Sequence, residues 1–433
     1  MATAAALSAV PLNIALALDL DSNADLITDT IASQAMRGEW SLARKFGAAT
    51  VDEADRGFAA PDGVRVGNFF IYPSITQSIA YDSNIFGMPD DAIADWRFIT
   101  SPTLTIQSQL PRHAFEMTVF SRFMNFAENT DQDYVNFGGI ARGALHIDHA
   151  HTLSATVLAT RENEERAAET ASRSAAEPVP IDRYRASVGI TRDAGRLYGT
   201  LAATAETLDY GSVRATDGSI LDQSYRDQDI YSAQLRTGYR ISPGFDFVTK
   251  LRALRQLSAG ETPGSADRNS TGYEATAGLA FETDPLLRWR IMGGYGVRNY
   301  DNAEYADVSS SLLEAQVQWL ATDRLTLFAN ARRALDDELG ANDNGRLETS
   351  AMARAEYEIR HDLVGSVNLA ISDIDFLGSD RQDRLIEAGV GLEYHYTKNW
   401  FFSLNYAFES RDSNEAEFDL DRSVVRVGGT LRY

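Results

Sequence analysis

His146, His149 and His151 form the densest group of chemically capable side chains in the chain, within His146-Ile147-Asp148-His149-Ala150-His151. Imidazoles at this spacing could ligate a metal, but they fall across a tight turn with no cleft implied, so turn chemistry is expected. The stretch Asp336-Asp337-Glu338 through Asn342-Asp343-Asn344-Gly345 invites a calcium-loop reading. It lacks the carboxylate spacing and closing glutamate of an EF-hand, and a solvated hairpin is expected instead. No Gly-x-Ser-x-Gly elbow, Ser-x-x-Lys pair, His-Glu-x-x-His or phosphate loop is present. The absence of cysteine removes thiolate nucleophiles, thiolate metal sites and disulfides. No catalytic residue, metal or cofactor is expected.

What remains is charge, and its placement is periodic. The 433 residues carry 62 acidic and 40 basic side chains, a formal charge of −22, which disfavours nucleic acid as a partner. Yet Arg288, Arg290 and Arg298 alternate with Leu287, Trp289, Ile291, Tyr295 and Val297. Arg354, Glu356, Glu358 and Arg360 likewise alternate with Ala351, Ala353, Ala355, Tyr357 and Ile359, and Glu387, Glu393 and His395 with Ala388, Val390, Leu392, Tyr394 and Tyr396. A period of two means a strand with one apolar and one wet face.

Eighteen such segments begin near residues 68, 95, 113, 133, 151, 183, 196, 225, 245, 271, 286, 308, 323, 346, 362, 384, 400 and 421. Every second connection is short, such as Leu110-Pro111-Arg112, Asp193-Ala194-Gly195, Ser242-Pro243-Gly244 and Lys398-Asn399. The others are longer, at 163–182, 209–224, 258–269 and 337–345. A transmembrane antiparallel up-and-down β-barrel has this asymmetry, with short periplasmic turns, longer extracellular loops and, for an even strand count, both termini in the periplasm. The place is then the outer membrane of a Gram-negative bacterium, among its lipid and lipopolysaccharide. Residues 67–433 form the expected barrel and 19–66 a periplasmic lead-in, mostly loop. Residues 1–18, ending near Ala15-Leu16-Ala17, read as a signal peptide, although no Lys or Arg precedes Arg37. Pro73 and Pro102 fall inside strands, where each removes a ladder donor.

Facing the apolar side outward puts Arg142, Arg236, Arg240, Lys250, Arg252, Arg288, Arg290, Arg298, Arg332, Arg354, Glu356, Glu358, Glu387, Glu393 and Arg426 on the pore wall. Charged rings on such a wall set ion and substrate preference; equally, Arg and Glu could pair across strands and only hydrate the lumen. In the last strand Val425, Val427, Gly429, Leu431 and the terminal Tyr433 share a face. This resembles the assembly signal by which the barrel assembly machinery handles bacterial outer-membrane barrels.

Gly63-Val64-Arg65-Val66-Gly67, Phe70, Tyr72-Pro73-Ser74 and Tyr81-Asp82-Ser83-Asn84-Ile85-Phe86 together resemble the opening of the putative β-barrel porin 2 family. Ala176-Glu177-Pro178, Ser242-Pro243-Gly244 and Arg411-Asp412-Ser413-Asn414 are further echoes, so the likeness covers about residues 60–433. The resemblance implies an outer-membrane barrel often found with exopolysaccharide export, and it transfers no catalytic residue. The expectation is a passive, charge-lined conduit for an anionic polysaccharide, working with periplasmic polysaccharide-export proteins. A diffusion porin for small solutes and a plugged surface barrel acting through its loops are the alternatives.

Overall fold

The computed structural model describes residues 61–258, 267–284, 286–336 and 345–433. The expected signal peptide, residues 19–60 of the lead-in and the acidic stretch 337–344 lie outside them. Eighteen antiparallel strands run from Phe69–Asp82 to Leu420–Arg432, each pairing with the next along the chain. First pairs with last, from Ser74 opposite Arg432 to Asp82 opposite Val424, so the sheet closes on itself. Closure follows from the solvent: an open edge in hydrocarbon would leave a row of N–H and C=O groups unpaired. No helix among the described residues is long and apolar enough to cross a membrane.

The strands begin where the alternation begins, with two main displacements. The sixth starts at Val179 rather than near 183, and the eighth at Gln228 rather than near 225. Pro180 read as loop, but it is registered with Asn163 in a ladder that continues past the apolar belt. Short turns gather at one end, where the barrel chain also starts and stops, and all the longer links lie at the other. Ahead of the first barrel strand, Val64–Val66 folds back onto Phe69–Ile71 through Gly67, whose φ of +61° suits glycine. The lead-in is therefore strand, not loop, at its end.

Outward residues are apolar at mid-height, as at Ile79, Leu201, Leu251, Leu369 and Val390, and aromatic toward both ends. Trp96, Phe137 and Tyr295 mark the long-loop end, and Phe247, Trp319 and Trp400 the short-turn end, as in the girdles of membrane barrels. Outward charges flank the apolar belt, as at Arg192 toward the short-turn end and Asp209 toward the other, and two near the long-loop end are paired. Arg161, opposite Phe137, bonds Asp182 at 2.7 Å; Arg255, opposite Tyr231, bonds Asp301 at 2.8 Å. Val427, Leu431 and Tyr433 point outward as expected.

Both prolines have a place. Pro73 lies one residue past the end of the ladder with the last strand, and its carbonyl accepts from Tyr433 N at 3.1 Å. Pro102 sits at the break in the ladder between the second and third strands, which skips from Thr100–Phe123 to Thr103–Phe120. The outward assignment gives a direct expectation. Leu369→Arg, at mid-strand on the lipid face, should cost about 2–4 kcal/mol and lower the folded fraction, measured by the heat-dependent gel shift in a urea series. An unchanged midpoint would place Leu369 out of contact with lipid.

Candidate functional site in the lumen

The inner face of each strand carries the polar set, and most of its charges are answered locally. Arg142 lies 3.8 Å from Glu116 and Arg252 2.9 Å from Glu274 on adjacent strands. Arg354 pairs with Glu356 at 2.9 Å, and Arg290 bonds Gln316 at 3.1 Å. Glu393 meets His395 at 2.5 Å, and Glu358 is 3.8 Å from His361. Arg298 donates to Gln256 at 2.8 Å within a buried layer that includes Gln228 and Ser270. Arg288 and Arg426 are buried on the same face. Arg240 is a rim residue, donating to Gly195 O and Asp193 at the short-turn end.

Two zones of the wall stand out. Lys250 pairs with Glu314 and lies within electrostatic reach of Arg236, Arg252, Arg332 and Glu274. This zone holds more base than acid, and Arg332 is exposed to the lumen. Farther round the barrel, Glu387 is registered directly opposite Glu409. The wall is thus basic on the eighth, ninth and thirteenth strands and acidic on the sixteenth and seventeenth.

The largest departure from expectation is the link 165–178, which runs inward rather than out to solvent. It leaves the fifth strand, and Glu169 pairs at 3.0 Å with Arg346 on the fourteenth, half the circumference away. Its backbone is held on the way: Ala167 O accepts from Arg411 at 3.2 Å, Glu169 O from Arg381 at 3.1 Å and Ala176 O from Gln132 at 2.8 Å. Gly87, at φ +62°, allows close approach, since a Cβ there would stand 2.7 Å from Ala167 Cα. The link 211–227 braces it. Ala176 N donates to Arg214 O at 2.7 Å, Thr216 N to Ser174 O at 2.9 Å, and Arg226 grips Glu164 with two 2.8 Å bonds.

The anchor is a buried ionic network. Glu165 reaches Arg97 at 3.5 Å and Arg422 at 3.3 Å, and accepts from Tyr134 Oη. Asp82 reaches the same two arginines at 3.2 and 2.5 Å. The second, fourth and last strands thereby meet on one loop carboxylate, and the first joins them through Asp82. Arg97 is 0% exposed and Arg422 2%, so removing a partner leaves a desolvated charge, a loss of about 3–5 kcal/mol. Sequence reasoning missed Arg97, Arg422, Arg411 and Glu165, which stand at strand ends where alternation gives way to loop. A faint signal existed: Ala167, Ala168, Ala171, Ala175 and Ala176 make the link unusually small-sided for a solvated loop.

The histidine group resolves as turn chemistry. Asp148 caps the turn by accepting from Ala150 N at 2.7 Å and His151 N at 2.8 Å, and lies 3.0 Å from His151 Nδ1. Among the described residues no cluster of three His, Asp or Glu could hold a metal. If Glu165 anchors the loop, Glu165→Ala should leave strand content unchanged by circular dichroism. It should also speed proteolysis within 165–178 by about tenfold or more and enlarge single-channel conductance. Unchanged cleavage and conductance would mean that the loop is held without Glu165.

Solved barrels with a similar course include the outer membrane protein OpdK of Pseudomonas aeruginosa, at 12% identity and a TM-score of 0.44, covering 84% of this chain and 99% of that one. OccAB2 of Acinetobacter baumannii is similar at 12% identity and 0.46, covering 86% and 99%. The ferric citrate transporter FecA is similar at 10% and 0.46, covering 87% and 79%. No curated protein sequence matches the chain. The family model described as Putative beta-barrel porin 2 matches residues 58–433, which takes in every barrel strand, and the chain belongs to that family.

Proposed function

We propose that this barrel is a passive conduit of the outer membrane, short turns and both termini in the periplasm, which passes small solutes and favours anions. The observation that carries the reading is the link 165–178 reaching from the fifth strand to the fourteenth, which places backbone where a bulky polymer would have to pass. The wall facing the loop across the lumen carries Arg236, Lys250, Arg252 and Arg332, the basic zone past which a solute would move. Water-lined Arg–Glu pairs elsewhere add only about 0–1 kcal/mol each, so they hydrate the wall more than they hold it. No catalytic step is part of this reading. Lipopolysaccharide surrounds the barrel, and the outward Val427, Leu431 and Tyr433 are offered to the assembly machinery.

Export of an exopolysaccharide is the second reading, favoured by charged side chains along the wall that could hand an anionic polymer from one arginine to the next. It requires the loop to withdraw and periplasmic export proteins to supply direction. Polymer found in the medium or trapped in the envelope of a deletion strain separates the two readings.

For the first reading, Arg332→Glu should shift the reversal potential in a salt gradient toward cations, with single-channel conductance altered less than about twofold. A reversal potential that does not move would remove the basic zone from selectivity.

A further inference from the structure

Glu165 answers Arg97 and Arg422, but on the other flank of the same loop stands a second group of arginines, three of which bond no carboxylate among the described residues. Asp131, Glu417 and Glu409 come only within electrostatic reach of Arg166, Arg173 and Arg411. Arg173 of the loop, Arg381 of the link 377–381 and Arg411 of the seventeenth strand gather about Phe418, while Arg166 of the loop bonds the Arg173 carbonyl and lies over the Phe86 ring. The guanidinium carbons of Arg173 and Arg381 stand 5.1 and 3.6 Å from the Phe418 ring centre, and Arg411 Nε donates to the Phe418 carbonyl at 2.8 Å. Arg381 is satisfied by Asp383, 3.0 Å from its Nε, and by the Glu169 carbonyl.

Among the described residues the other three donate only to backbone carbonyls. Arg411 gives Nη2 to Ala167 O at 3.2 Å, and Arg166 gives Nη2 to Arg173 O at 3.3 Å. Arg173 gives Nη1 to the carbonyls of Phe86, Gly87 and Arg166 at 3.4, 3.0 and 3.5 Å. Arg411 is 2% exposed, and among the described residues nothing accepts from its Nη1, from Arg173 Nε or Nη2, or from Arg166 Nε, all of them buried. Burial, together with the charges of Arg411, Arg381 and Arg166, lowers the Arg173 pKa to about 10, so the group remains a cation at neutral pH. Three positive charges with unused donors, held between a loop and a wall, are the complement of an oxyanion with several lone pairs.

We propose that Arg166, Arg173 and Arg411 form a binding site for one anionic group, a carboxylate or a phosphate, which is enclosed when the loop 165–178 seats against the wall. All three side chains act on the lumen side of the sheet, so the anion arrives through the lumen and not from the surrounding lipid. Binding adds charge-assisted hydrogen bonds to the loop's seat, and the loop therefore closes more firmly when the anion is present. The site depends on the seated loop and not on what the conduit transports, so it can fail while the proposed function stands.

The test uses the purified full barrel in detergent, freed of lipopolysaccharide, with inorganic phosphate titrated against chloride at equal ionic strength. Phosphate should slow proteolysis within 165–178 in the wild type. Arg173→Gln, on the loop and so independent of strand folding, should raise the half-effective concentration by about tenfold or more, as should Arg411→Gln if its folded fraction is normal. Arg384→Gln, on the outer face, should leave the response as it was. Protection equal in chloride and phosphate, or protection unchanged in Arg173→Gln, would overturn the proposal. So would protection by added lipopolysaccharide but not by inorganic phosphate, because the anion would then come from the membrane side.

Discussion

Everything in this molecule depends on one requirement: in hydrocarbon, each backbone N–H and C=O must find its partner within the protein. A sheet meets it only by closing, and here the first and last strands complete the ladder from Ser74–Arg432 to Asp82–Val424. Closure fixes what the side chains must be. One face of every strand looks at lipid and the other at a space too wide for apolar side chains to fill, so the inner face becomes polar and wet. The acidic composition and low mean hydropathy that would suit a soluble protein are the chemistry of this inner face and of the links.

A polar lumen creates a second problem, because charges taken from water need partners. At mid-height and at the short-turn rim the solution is local, with Arg142–Glu116, Arg252–Glu274 and Arg354–Glu356 reaching along or between adjacent strands. At the long-loop end the arginines are more deeply buried, and further partners are brought by a loop. Glu165 and Glu169 add carboxylates to Arg97, Arg422 and Arg346, which Asp82 and Asp336 on neighbouring strands already pair. The same interactions that stabilise the buried arginines therefore place backbone across the passage.

The barrel was legible in the sequence because its signal is long and repeated. Alternation at Leu287–Arg298 or Gln382–His395 records a constraint that acts on every residue of a lipid-facing strand. The alternation of short and long links is seen in the fold, where the longer links share one end. The inward loop was not legible. A link obeys no period, and whether Glu165 meets solvent or Arg97 depends on contacts between residues far apart in sequence. Arg97 and Arg422 were overlooked because they lie near the ends of strands, where lipid no longer imposes the pattern. The displaced start at Val179 has the same origin: beyond the apolar belt, a ladder can continue without alternation, and even through Pro180.

The central claim is that the loop 165–178 rests across the lumen in the working protein, and its reach to Arg346 on the fourteenth strand offers the most direct test. The natural chain has no cysteine to confuse the result, so Glu169→Cys/Arg346→Cys protein can be bridged by a thiol-specific linker as long as the two side chains it replaces. In that protein inserted in a bilayer, the account predicts rapid cross-linking that leaves single-channel conductance unchanged. Failure to cross-link, or cross-linking that sharply lowers conductance, would mean that the loop spends its time elsewhere and would contradict it.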